Sequence, residues 1–108
     1  MKIPEQASLL RVFVGESDKH GHIPLYEAIV LKARETGLAG ATVLRGSMGF
    51  GRHSVMHTAK ILRLSEDLPI IIEIVDSKEK IAAFLPILDP MVPEGLVTLE
   101  EIRVVHYK

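Results

Sequence analysis

An α+β fold with the element order β-α-β-β-α-β is predicted for this 108-residue chain, on three observations. Two runs rich in β-branched and large apolar residues, 8–14 (SLLRVFV) and 69–75 (PIIIEIV), read as strands. Each is followed by a segment whose apolar residues recur at helical spacing. Each of those helices is followed in turn by a further strand-like run, so both must return the chain to the sheet. Right-handed crossovers of this kind give a four-stranded antiparallel sheet with both helices on one face, the ferredoxin-like split β-α-β arrangement.

Each element has its own signal. Residues 1–6 read as a short lead-in to the first strand, and 15–22 (GESDKHGH) as the turn after it. Pro24 is placed as a first helical residue, Tyr26, Ile29, Val30 and Ala33 repeat at helical spacing, and Gly37 closes a helix over 23–36. Lys32 and Arg34 favour its C-terminal end, where the dipole is negative. Residues 41–44 (ATVL) begin a second strand that runs into a glycine-studded flexible loop, 46–58 (GSMGFGRHSVMHT). Alternation in 59–64 (AKILRL) predicts a strand pairing back. Asp76 is expected as the N-cap of a second helix, with Glu79 in capping-box register and a stripe of Ile81, Phe84, Leu85 and Leu88. Pro86 removes a backbone donor and crowds the Ala82 carbonyl, so a kink or an early end is expected near it. Residues 96–99 and 102–107 give one broken strand or two. No internal repeat or low-complexity segment interrupts the chain, which reads as one domain over 1–108.

Composition bounds the function. Thirteen Lys and Arg against fourteen Asp and Glu leave no basic surplus, and nucleic-acid binders depend on one for phosphate neutralisation. With three phenylalanines, two tyrosines and no tryptophan, there is little to stack on bases. No nucleic-acid partner is therefore expected. The absence of cysteine excludes disulfides, thiolate zinc sites and a cysteine nucleophile. No stretch is apolar enough to span a bilayer and no leader pattern opens the chain, so a cytoplasmic location is expected.

The strands at 8–14 and 69–75 carry apolar residues at consecutive positions, where a half-exposed strand would alternate. With both helices on one side, the second face needs another cover, and a further copy of the chain is expected to supply it. Arg11 and Glu73, one on each strand, read as a cross-sheet or intersubunit ion pair.

Little points to catalysis. Gly46, Gly49 and Gly51 do not make a dinucleotide fingerprint, because the spacing is reversed and no helix follows. They serve either bends in a hairpin or the close approach of backbone to a ligand. His53 and His57 would meet a metal only on a helix, and their surroundings predict a loop with two solvated histidines. His20 and His22 flank Gly21, as turn chemistry or as a polar lip. The polar loop 15–19 stands where split β-α-β enzymes can keep a site, yet no Ser-His-acid order stands out and the chain has no asparagine to orient a water. An enzyme is not expected.

Residues 37–52 (GLAGATVLRGSMGFGR) and 68–75 (LPIIIEIV) resemble the PII signalling proteins, in which a Gly-rich strand leads to a GFGR turn at the root of a long loop. Nearly the whole chain is similar to a PII-like family known as domain of unknown function 190. The resemblance implies a ferredoxin-like homotrimer whose sheets pack inward, binding a small-molecule ligand, often an adenine nucleotide, in clefts between subunits at the loop root. It places Gly49, Phe50, Gly51 and Arg52 at that site as ligand-binding residues, and implies a protein target for the loop, such as a membrane transporter. Glycines there admit close approach of backbone to ligand, and an arginine pairs with phosphate or carboxylate. The chain departs from PII at 89–101, where one glycine and no lysine stand in place of a Gly-Asp-Gly-Lys loop. Pro69, Ile70 and Ile71 replace lysines, and the modifiable loop tyrosine is absent. These departures favour a mononucleotide, a cyclic nucleotide or another anion over ATP held in the PII manner. The runner-up is a divalent-metal-binding ferredoxin-like trimer using His53 and His57, and a third reading is an assembly subunit without ligand.

Overall fold

The computed structural model describes residues 3–50, 57–58 and 68–108. The chain order is β1 (Gln6–Gly15), β2 (Lys19–His20), β3 (Ile23–Pro24), α1 (Leu25–Glu35), β4 (Thr42–Arg45), β5 (Met48–Gly49), β6 (His57–Thr58), β7 (Pro69–Asp76), α2 (Lys78–Leu88), a 3-10 turn (Asp89–Met91) and β8 (Leu96–Arg103). Strands β4, β7, β1 and β8 form one antiparallel sheet in that order. This is the ferredoxin-like arrangement expected, with β7 as its third strand. The strand read at 59–64 lies outside the described residues.

The central pair β1 and β7 are long enough to be covered on one face from end to end. Leu10, Val12 and Val14 of β1 and Ile70, Ile72 and Ile74 of β7 are buried. They form one core with Leu25, Ala28, Ile29 and Ala33 of α1 and Ile81, Phe84 and Leu88 of α2. Both helices thus pack on the same face. Burying a side chain of this size contributes on the order of 1.5–3 kcal/mol. The intervening residues, among them Leu9, Phe13, Ile71 and Val75, lie on the opposite face and are only partly buried. At the centre of that face Arg11 Nε donates to Glu73 Oε2 at 2.8 Å, and Nη1 reaches Glu100 Oε2 at 3.3 Å. The pair is cross-strand, between directly opposed residues. The hydrogen bond to Glu73 is the main reason the guanidinium holds its proton above the ordinary range.

Several local expectations are corrected. Pro24 does not begin α1. Its ψ of 139° is extended, and it pairs with Lys19 in a short ribbon turned by Gly21, whose φ is +64°. The amide of Leu25 instead donates to the Asp18 carbonyl at 2.7 Å, so the turn itself closes the helix start. At the other end Leu38 N donates to Ala33 O and Gly37 N to Arg34 O, with Gly37 at φ +84°. These two bonds make a Schellman motif, which is why Gly37 ends the helix.

Asp76 is not the cap of α2. Ser77 is, its side chain accepting from Lys80 N at 3.1 Å. Asp76 remains in β7, almost wholly buried, and its carboxylate accepts from Ala39 N at 2.9 Å and from Ser77 N at 2.7 Å. The α-helix ends near Pro86, at Leu88, without breaking off at the proline itself. Pro86 stands in the last turn, and the Asp89 amide still bonds to Leu85 O, so the chain continues into the 3-10 turn. The C-terminal strand is single and unbroken. Of the lead-in, Gln6 belongs to β1, and Glu5 is tied to the sheet by Val104 N at 2.6 Å and by Arg103 Nε at 2.8 Å. No helix among the described residues is long and apolar enough to cross a membrane.

Asp76→Ala leaves two amides without their acceptor, one of them at the junction of the 38–41 loop with the sheet. A loss of about 2–4 kcal/mol is expected, and less for Asp76→Asn, which keeps one acceptor oxygen. Urea unfolding at fixed protein concentration measures it. An unchanged midpoint would mean that water replaces the carboxylate.

Candidate functional site

Four strand ends meet at one end of the sheet: the last residues of β1 and β4 and the first of β7 and β8. The segment between β4 and β7 leaves and re-enters here. Its two feet are pinned by backbone bonds, Gly46 N to Pro69 O at 2.7 Å and Glu16 N to Leu68 O at 2.9 Å. Glu16 comes from the turn after β1, which Asp18 stiffens by accepting from Gly15 N at 2.9 Å. Above the feet, β5 and β6 pair as a short ribbon, Met48 opposite Thr58 and Gly49 opposite His57.

Pro69 is the platform on which this root rests. A Cβ on Gly46 would stand 2.7 Å from Pro69 Cγ, and one on Gly49 would stand 3.0 Å from it. Real side chains do not approach a ring carbon that closely, so the absence of a side chain at 46 is required by packing and at 49 nearly so. On the far side of the same sheet end, Gly95 has φ +151°, and a Cβ there would meet Phe13 O at 2.7 Å. The stretch 89–101 therefore enters β8 pressed against the end of β1.

Charge at the root is carried by side chains. Arg45, the last residue of β4, pairs its guanidinium with the Glu16 carboxylate. Phe50 follows β5 with 67% of its surface exposed, a large apolar group with no place in the core. Of the four residues assigned to ligand binding, Gly49 and Phe50 stand at this root, while Gly51 and Arg52 lie outside the described residues. His53 lies outside them as well. Among the described residues no cluster of three or more His, Asp or Glu side chains could hold a metal ion. His20 and His22 are exposed in the β2–β3 ribbon.

Reasoning from the sequence gave no role to Arg45, Glu16 or Pro69. The available signal was the dipeptide Arg45-Gly46, a cation at the last strand position before the glycines. Nothing in the order of residues brought Glu16 to it. A depression of about 310 Å³ lies at the opposite end of the sheet beside Arg34, Leu38 and Gly40. Its lining is mainly apolar, and among the described residues no second polar side chain joins the guanidinium.

The family model described as DUF190, an uncharacterized ACR, matches residues 7–104. A UPF0166 protein of Aquifex aeolicus is 37% identical over 98 residues, spanning 91% of this chain and 92% of its own. A UPF0166 protein of Methanocaldococcus jannaschii is 35% identical over 100 residues, spanning 92% of each. Among solved structures, CPII, a nitrogen regulatory PII-like protein from Thiomonas intermedia K12 bound to ADP, AMP and bicarbonate, superposes with a TM-score of 0.71. It is 19% identical and aligns over 94% of this chain and 90% of its own. The GlnK–ATP complex of B. subtilis gives 0.52 at 15% identity, over 94% and 85%. At such identities the likeness is one of fold.

The root geometry carries its own test. Gly46→Ala is expected to cost about 1–3 kcal/mol through the contact with the proline ring. Pro69→Ala in the same chain should recover much of that loss, because the Cγ is gone. A double-mutant cycle on thermal or urea stability reads the coupling, and strict additivity would separate the two residues.

Proposed function

The chain belongs to the DUF190 family, and on that footing we propose that it is a PII-like regulatory protein that binds a small anionic ligand at the root of the 46–58 loop. The carrying observation is the root itself. A pinned pair of feet, two glycines packed close on Pro69 and an arginine at the rim form a place where an anion can meet a guanidinium at a fixed strand end. An adenine nucleotide is the ligand class we favour, since PII-like structures of this fold hold ADP and AMP. Arg52 would join the site from the loop.

The working form in this reading is a homotrimer. Leu9, Phe13, Ile71 and Val75 surround the Arg11–Glu73 pair on the face that no helix among the described residues covers, and three such faces packed together would bury them. The cleft then lies between neighbouring subunits, and the exposed Phe50 and its loop form a surface that the ligand reshapes for a protein target. The chemistry is binding and not turnover, and a membrane transporter is one class of target that fits.

Titration calorimetry with ADP, AMP, ATP, cyclic AMP and pyrophosphate, paired with sedimentation, tests this. One saturable nucleotide and a mass of three chains are expected. A ligand at a hundred times its Kd stabilises the folded state by about 2.7 kcal/mol, so the melting point should rise with the same nucleotide. Failure of every nucleotide and of pyrophosphate to bind would remove the proposal.

Arg52→Ala is expected to weaken that binding about ten-fold or more while leaving the sedimenting mass unchanged. Unaltered affinity would take Arg52 out of the site.

A further inference from the structure

We propose that Arg45 is an anion-recognition residue held in reserve by Glu16, so that a ligand enters the loop root by displacing the Glu16 carboxylate from the guanidinium. The inference rests on the reading of the root as an anion site and specifies how that site is charged.

The two partners are held differently. Glu16 is presented from a fixed turn: its amide is bonded to Leu68 O, and the preceding Gly15 amide to Asp18. Its side chain is 24% exposed. Arg45 ends a four-residue edge strand, its side chain is 55% exposed, and it has the longer and freer reach. An exchange of partners would therefore move the arginine and leave the glutamate in place.

A carboxylate beside an anion site is unfavourable in itself, because it repels the ligand. Its position makes sense if it neutralises a cation whose natural partner is absent. The Gly46 amide cannot take that role, since it is already donated to Pro69 O. A side-chain cation can supply that charge, and Arg45 adjoins the first glycine.

Magnitudes favour the exchange. An arginine–carboxylate pair with a half-exposed guanidinium is a modest interaction that salt weakens. A guanidinium placed bidentate on phosphate in a partly enclosed cleft is stronger. A doubly charged phosphate or diphosphate competes well with one carboxylate, and a singly charged organic acid competes on equal terms. The pair would therefore act as a threshold that favours nucleoside diphosphates and similar polyanions over monovalent acids.

The experiment is calorimetry with ADP on the full chain and three variants: Arg45→Gln, Glu16→Gln and the double variant. Arg45→Gln should weaken ADP about ten-fold or more. Glu16→Gln should tighten it about two- to five-fold. In the double variant the Glu16 gain should vanish, because there is no guanidinium left to release. Unchanged affinity in Arg45→Gln overturns the proposal. So does a Glu16→Gln gain that persists without Arg45, which would mark simple repulsion through space. Should Arg45→Gln not assemble, Arg45→Lys replaces it, and full wild-type affinity there would deny the bidentate role. If the wild type itself binds neither ADP nor pyrophosphate, the anion-site reading falls first and this one with it. A wild type that binds normally beside an indifferent Arg45→Gln removes this inference alone.

Discussion

The antiparallel pairing of β1 with β7 is the constraint on which the other elements depend. These two strands are opposed residue by residue from Ser8 and Asp76 to Gly15 and Pro69, and their side chains alternate between two very different surroundings. The buried set anchors both helices, so the helix axes are fixed by what Leu10, Val12, Ile72 and Ile74 present. The other set leaves a band of partly buried apolar residues divided by an ion pair. The edge strands β4 and β8 each attach to one side of this pair, and α2 hangs from the end of β7 through Ser77. A shift of register by a single residue would turn every one of these side chains to the wrong face.

Much of this was legible in the sequence because it is local or periodic. The strand runs, the helical stripes and the Gly37 stop each depend on residues close together in the chain, and the element order then leaves few topologies. Asp76 and Ser77 mark where that reading fails. Both are good capping residues, and only the position of Ala39 decides which is needed elsewhere. The effect of Pro86 depends on its place, since the α-helix ends close beyond it at Leu88. A proline in the last turn loses one bond at a place where the helix is already ending, so its penalty is small there.

The candidate site was legible in outline and not in its charge. The glycines at 46 and 49 announce close approach, but their neighbour is a proline twenty or more positions away in the chain. The Arg45–Glu16 contact joins the ends of two strands that do not pair with each other. Residue order alone carries no trace of such a contact, since neither periodicity nor spacing records which strand ends lie side by side.

The tie between Asp76 and Ala39 also has a mechanical side. It secures the chain just before β4 with a buried, charge-assisted hydrogen bond, which is hard for water to replace. The far end of that short strand is held by its pairing with β7, where Leu44 and Arg45 stand opposite Ile71 and Ile70, by the Gly46 bond to Pro69 O and by an ion pair to Glu16. The strand is therefore seated along its whole length, with a buried hold at its start and a water-facing one at the loop root. Fraying of such a strand starts at the loop root and runs toward Asp76, and the core beneath is the last part to feel it.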